Sequence, residues 1–393
     1  MDLSWKPEDE AFRKEVRSYL ESNLPKDLPE DGDESFEARR EWQAKMAEDS
    51  WVAIHWPKEF GGRGASVLQT IIYNEEYTRL RGPRLPNELG LALLGPTLME
   101  FGTDEQKQKF LKRVLTAEDI WCQGFSEPNS GSDLASLQCK AEIDGDDFVV
   151  NGQKIWTSYG KYADWIFNLV RTDREAEPHK GISFLLADMK SPGIEVRPLK
   201  EISGDSLFSE VFFTDVRTPK ENLVGELGQG WSIAMRTLTF ERGAGSLATS
   251  VRLRNSMFDL IADAQKVRRN GWSAFEDPVS RDRIAKWLVD LEVYRYTTLR
   301  AISSVANGRP AGSEASINKV YWSEWHREFM ADAVNVLGPL ARVLDGADAE
   351  INTARWAKEY LLSLAGTIYA GTSEVQRNII AERVLGLPKE ARA

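Results

Sequence analysis

Phe12, Val16, Tyr19 and Leu20 recur at helical spacing in an otherwise charged stretch and predict an amphipathic helix over 8–23. Pro25, Pro29 and Asp31-Gly32-Asp33 break it into a loop. Further helices are expected over 36–49, 67–79 and 105–115. The last is capped by Asp104 or Thr103, and its final turn carries Lys112 and Arg113, whose charge suits a helix C-terminus. Nothing before Glu118 reads as a strand, so the first part of the chain is expected to be all-helical.

From Asp119 the pattern changes. Two short β-prone runs, 140–143 and 148–150, flank Asp144-Gly145-Asp146-Asp147 and read as a hairpin. Runs rich in β-branched and aromatic residues follow at 165–171, 182–189, 194–198 and 210–213, separated by Gly, Pro or Asp. Short runs at a spacing of roughly ten residues imply a compact β-barrel or sandwich. Pro219 and the glycines from Gly225 to Gly230 close that unit. Helical spacing then returns over 233–251 (continuing towards Asp263), 281–307, 316–337, 354–368 and 373–385, ended by Gly386 and Pro388. The expected division is 1–118, 119–226 and 227–393, with no internal repeat.

Composition narrows the class. With 42% hydrophobic and 28% charged residues the chain reads as an ordinary globular protein with a large core. No apolar run approaches the ~20 residues of a bilayer span. The acidic start, Met1-Asp2-Leu3-Ser4, lacks a basic segment followed by an apolar one, so no secretory signal is expected. A net charge of -11 disfavours nucleic acid as a partner. Cys122 and Cys139 are too few for a disulfide framework and fit a reducing, cytoplasmic setting. Three histidines without a cysteine cluster give no transition-metal site.

The chemistry concentrates around the hairpin. The polar, turn-rich segments 126–133 and 156–160 bracket it, and its strand ends bring both to one sheet edge. That edge offers backbone N–H groups, the hydroxyls of Ser126, Ser132, Thr157 and Ser158, and the flat indole of Trp156. The set suits a planar, hydrogen-bond-rich heterocycle, though on chemistry alone a surface hairpin with serine-rich loops is slightly favoured. Ser126-Glu127-Pro128-x-x-Gly131-Ser132-Asp133, followed by Trp156-Thr157-Ser158, resembles the flavin-binding signature of the acyl-CoA dehydrogenase family. Pro57-Lys58-Glu59-Phe60-Gly61-Gly62-Arg63-Gly64 resembles that family's N-terminal glycine turn, and Gly371-Thr372-Ser373-Glu374-Val375-Gln376-Arg377 its C-terminal segment. The resemblance covers nearly the whole chain, with the three motifs in order.

The resemblance implies an α+β architecture: an N-terminal helical domain, a middle β-barrel domain and a C-terminal four-helix bundle. It implies FAD as cofactor, an acyl-CoA substrate, an electron-transfer flavoprotein as acceptor, and a four-subunit assembly. In the family a carboxylate removes the α-proton of the thioester while the β-hydrogen leaves as hydride to the flavin. Such a base needs a raised proton affinity, and the thioester oxygen needs hydrogen bonds. The commonest position for the glutamate is occupied here by Ala370. A minority of the family carries it on the first helix of the C-terminal domain, where this chain has Phe240-Glu241-Arg242. Glu241 is therefore the candidate base, with Arg242 and Ser132 as candidate acyl-CoA contacts. Gln123, Phe125, Ser126, Trp156, Thr157 and Ser158 are the expected flavin contacts, and Thr372, Glu374 and Gly338 the expected C-terminal ones. Two segments that normally reach the FAD of a neighbouring subunit depart from the pattern, at 270–278 and 335–340. The site is thus completed either in a homotetramer with altered contacts or by a different partner in a heterotetramer. The rival expectations are a non-catalytic half-site subunit and an oxidase or monooxygenase on the same fold.

Overall fold

The computed structural model describes residues 5–29, 32–240, 245–269, 271–306, 312–313, 315–344 and 354–389. The helix expected at 8–23 is α1, Pro7–Asn23, which buries Phe12, Val16 and Leu20 as its spacing requires. α2 (Phe36–Glu48) and α3 (Val67–Arg79) follow. A π turn, Gly90–Leu94, leads into α4, Gly95–Phe101, neither of which the hydrophobic pattern announced. The reason is burial on several sides: Leu91, Leu93, Leu94 and Leu98 all lie in the core, so no polar face marks a period. Gly95 is required there, because a Cβ would stand 2.0 Å from the ring of Trp56. α5 runs Asp104–Leu115, and Thr103 rather than Asp104 is the cap, its hydroxyl accepting from Gln106 N at 3.2 Å.

The middle of the chain forms one eight-stranded sheet. Its strands are β1 (Trp121–Gly124), β2 (Lys140–Asp144), β3 (Asp147–Ser158), β4 (Trp165–Arg171), β5 (Ile182–Asp188), β6 (Ile194–Pro198), β7 (Phe208–Pro219) and β8 (Leu223–Val224). They pair in the order β6-β7-β3-β2-β4-β5-β8, with β1 parallel to β4. The sheet wraps around one interior to which Cys122, Ala141, Phe148, Val150, Ile166, Val170, Leu185, Val211 and Phe213 all contribute. The opposite face of β4 and β5, with Phe167, Leu169, Phe184 and Leu186, joins the core of the N-terminal helices. Burial on both faces explains why these two strands read as apolar runs rather than alternations. β3 and β7 are far longer than 148–150 and 210–213, so Trp156, Thr157 and Ser158 belong to a strand rather than to a turn.

The C-terminal helices are α6 (Gly230–Phe240), α7 (Gly245–Lys266), α8 (Pro278–Ala306), α9 (Ala315–Leu337), α10 (Ala354–Ser363) and α11 (Ser373–Ile379). α7, α8, α9 and α10 pack around Met257, Leu260, Tyr294, Trp325, Phe329 and Trp356. α6 packs on β5 and α4. A two-stranded hairpin, β9 (Arg268–Arg269) with β10 (Trp272–Ser273), joins α7 to α8. Among the described residues no helix is long and apolar enough to cross a membrane, and no cluster of potential metal ligands occurs.

Candidate active site

The two polar segments meet, as the hairpin predicted. Ile155 N donates to Ser126 O at 3.0 Å, which ties the start of one segment to the strand that carries the other. β1 lies flush on β4 at Gly124, where a Cβ would sit 1.8 Å from Asn168 Oδ1. Gln123, next to it, is half-buried. Phe125 is core: its ring stands edge-on to Phe167 and Phe184 at 5.9 and 6.2 Å. Only its backbone remains for a ligand, and its carbonyl already accepts from Lys154 Nζ at 3.2 Å.

Beneath the turn lies a buried ion pair. Lys154 Nζ donates to Glu127 Oε1 at 2.8 Å, with the two side chains 0% and 8% exposed. The Glu127 carboxylate also accepts from Gln138 N at 2.6 Å and Cys139 N at 2.8 Å. Glu127 and Ser130 close the turn reciprocally through their backbones, at 2.9 and 3.0 Å. One carboxylate thus joins the end of β1, the entry to β2 and the middle of β3. Arg171 does the same for the loop beyond Ser132, donating to Ala135 O and Pro178 O, both at 2.6 Å. Ser132 itself is exposed. Sequence reasoning did not single out Glu127, Lys154 or Arg171 for a role. The available signal was Lys154, a cation at the strand parity that buries Phe148 and Val150.

The register of β3 against β7 then shifts by one residue between Lys154 and Thr157. This bulge turns Trp156 outward, with φ +60° and 58% exposure, its ring edge-on to Phe208 at 5.9 Å. A non-glycine residue at positive φ is strained, and such strain collects at ligand sites. Thr157 is fully buried, yet its hydroxyl has no hydrogen-bond partner, and the same holds for Ser209 directly opposite on β7. Ser158 is half-buried. An open indole beside orphaned hydroxyls and exposed strand-edge groups fits the donor and acceptor edge of a flavin ring.

The C-terminal candidates form a second set. Thr372 caps α11, its hydroxyl accepting from Val375 N at 3.2 Å, and Glu374 is exposed in the first turn. The Glu374 carboxyl is held below its usual range, first by its own backbone N–H and then by Thr372. Ala370 has φ +52° and Gly371 φ +84°, a left-handed pair braced by Gln376 Nε2 donating to Ala370 O at 3.0 Å. Gly338 is buried with φ +73°. Among the described residues no hydrogen bond or ion pair joins Thr372, Glu374 or Gly338 to the Ser126–Thr157 edge. Glu241 and Arg242 lie outside the described residues. The helix that precedes them is anchored: the Thr237 hydroxyl meets that of Thr97 at 2.8 Å, which sets the end of α6 against α4 just past the π turn.

Comparison with known proteins gives three successive matches. Residues 6–118 match the family model described as acyl-CoA dehydrogenase, N-terminal domain; 122–216 match the middle domain and 228–385 the C-terminal domain. The chain is 40% identical over 392 residues to the acyl-CoA dehydrogenase IpdE1 of Mycobacterium tuberculosis, covering 98% of this chain and 99% of that one. Among solved structures it resembles the Tcur3481-Tcur3483 steroid ACAD, with a TM-score of 0.87 and 31% identity over 99% of this chain and 100% of the other. It also resembles a chain of the ChsE4-ChsE5 complex from Mycobacterium tuberculosis, with a TM-score of 0.85 and 32% identity over 99% and 100%.

Proposed function

We propose, for a chain that belongs to the acyl-CoA dehydrogenase family and is an oxidoreductase acting on acyl-CoA, that it is FAD-dependent and introduces a trans-2,3 double bond into a bulky acyl-CoA thioester. The observation that carries this reading is Trp156, turned outward by a bulge at strained φ beside the buried, unpartnered Thr157 hydroxyl. Trp156 covers the isoalloxazine ring, and Ser126, Thr157 and Ser158 address its polar edge. FAD, when bound there, supplies the acceptor for the β-hydrogen as hydride. Glu241 takes the α-proton, while Ser132 and Arg242 hold the CoA thioester. Ala370 removes the carboxylate from the commonest family position, and its exposed methyl leaves room where a glutamate would project. A ring-bearing acyl group is the proposed occupant of that side, and the solved structures that resemble this chain include a steroid ACAD. An electron-transfer flavoprotein is the proposed acceptor of the electrons.

Among the described residues no hydrogen bond or ion pair ties Thr372, Glu374 or Gly338 to the Trp156 edge, which supports a site shared between chains in which these residues serve a neighbour's cofactor. Trp272 on β10, 67% exposed, is a second open element of the kind such sharing needs. The neighbour is a second copy of this chain or a related subunit, as in the ChsE4-ChsE5 complex. Glu241→Gln tests the reading: FAD content should match the parent while enoyl-CoA formation falls at least about 10³-fold. Undiminished turnover would refute Glu241 as the base. Flavin stoichiometry of the chain purified alone separates the two kinds of neighbour: about one FAD per chain supports self-assembly, and flavin gained only with a second subunit supports the heteromer.

A further inference from the structure

We propose that the N-terminal glycine turn builds a second binding site, separate from the flavin edge, for a small organic oxyanion, a carboxylate or a phosphate. The dehydrogenation chemistry gives that turn no role. It is a rigid element: Trp56 O accepts from Gly64 N at 2.9 Å, and Ile54 O accepts from both Arg63 N and Ala65 N at 3.0 Å. Gly61 and Gly64 have φ of +89° and +63°, and a Cβ on Gly62 would stand 2.1 Å from Trp56 O. The turn thus brings Lys58 and Arg63 to the wall of a cleft of about 530 Å³, which Phe12 and Glu15 from α1, Ser50 after α2 and Gln69 from α3 complete. That volume is in the range of small-molecule sites, about 300–1,000 Å³. None of these residues belongs to the Ser126–Ser158 edge.

The cleft is rich in donors and poor in acceptors. The Arg63 guanidinium lies 3.9 Å from the centre of the Trp51 ring. That ring is itself stacked on Tyr19 at 5.0 Å and on Tyr73 at 5.8 Å, so the guanidinium rests on a fixed aromatic shelf. Arg63 Nη2 donates to Glu15 Oε1 at 2.5 Å, which leaves most of its five N–H donors uncommitted. Gln69 Oε1 accepts from Ser66 N at 2.9 Å, while its NH2 has no partner among the described residues. The same holds for the Lys58 ammonium and for the hydroxyl of Ser50, a non-glycine residue held at φ +56° in the wall of the cleft. Lys58 and Arg63 stand against the single carboxylate of Glu15, a local positive excess on a chain whose net charge is -11. An acceptor-rich anion satisfies these donors, whereas a cation does not. Arg63 suits a carboxylate or phosphate through its planar fork, and Lys58 adds a point charge. Phe12 supplies an apolar contact for the organic part.

Isothermal calorimetry of the purified full chain with citrate and with pyrophosphate, at pH 7 and an ionic strength held constant with chloride, tests this. The expected result is saturable binding of one anion per chain. K58M should weaken it about tenfold, whereas E15Q, which removes the carboxylate competing for Arg63, should tighten it about threefold or more. Lys58 and Glu15 are both exposed, and an unchanged unfolding midpoint confirms that the two variants fold. K220M removes the same charge from an exposed position outside the cleft and should leave binding unchanged. Preference for citrate assigns a carboxylate and preference for pyrophosphate a phosphate, and either supports the site. No saturable binding of either anion up to about 10 mM, or binding that K58M and E15Q leave unchanged, overturns it. Binding of a polyglutamate peptide when neither small anion binds makes the cleft a protein-docking surface and overturns the assignment to a small molecule. None of these outcomes depends on turnover, so the acyl-CoA reading stands or falls separately.

Discussion

Replacing Lys154 with Met should unseat the flavin edge before it unfolds the protein. Lys154 is fully buried and makes two hydrogen bonds, to Glu127 Oε1 at 2.8 Å and to Phe125 O at 3.2 Å. Met fills nearly the same volume, so the cavity contribution is small. What remains is a carboxylate 8% exposed without its counter-ion. Breaking a buried pair by removing one partner costs about 3–5 kcal/mol. The two backbone N–H groups still donating to Glu127 favour the low end, about 3 kcal/mol, or roughly a hundredfold in the folded ratio. Glu127→Gln should cost a similar amount by stranding the ammonium. The double variant, with both charges gone, should recover about 2 kcal/mol relative to additivity. Urea unfolding at pH 7 measures all three, and fluorescence titration with FAD measures the site. Because Lys154, two residues before Trp156 on the same strand, also fixes the Phe125 carbonyl, FAD affinity should fall at least tenfold under conditions where K154M remains folded. A loss below about 1 kcal/mol with parental FAD affinity would refute the argument, since the pair would then be neither a structural nor a positioning element.

Two further outcomes follow from the geometry. Trp156→Gly should leave stability within about 1 kcal/mol, because relief of a left-handed non-glycine residue offsets the loss of one edge-on contact with Phe208; FAD affinity, read by flavin fluorescence, should nevertheless fall tenfold or more, and unchanged affinity would remove Trp156 from the site. Glu76 should make the N-terminal helices acid-sensitive: burial opposes its ionisation, but hydrogen bonds from Arg17, Arg13 and Arg79 prevail and bring it from 4.5 down to about 2. A folded value below the unfolded one means that the stabilisation is complete above about pH 4.5 and is lost as pH falls through 2, about 3 kcal/mol in all. Glu76→Gln should flatten the pH dependence of unfolding in that window, and a slope identical to the parent's would show that other carboxylates carry it.

Local pattern was sufficient wherever an element buries one face. The spacing of Phe12, Val16 and Leu20 specified α1 and Asp144-Gly145-Asp146-Asp147 specified the β2–β3 turn, while the start of α5 was narrowed to Asp104 or Thr103 and the structure chose Thr103. Motif order was likewise legible, and with it the three-part architecture and the meeting of the Ser126 and Trp156 segments. The tertiary structure decided the rest, for one physical reason: local periodicity records only the contrast between a buried side and a solvated one. The π turn and α4 are buried on several sides and show no contrast. The bulge that lifts Trp156 depends on register against β7, a strand more than 50 residues away in the chain. Lys154 is tolerable at a buried parity only because Glu127, 27 residues earlier, is folded against it.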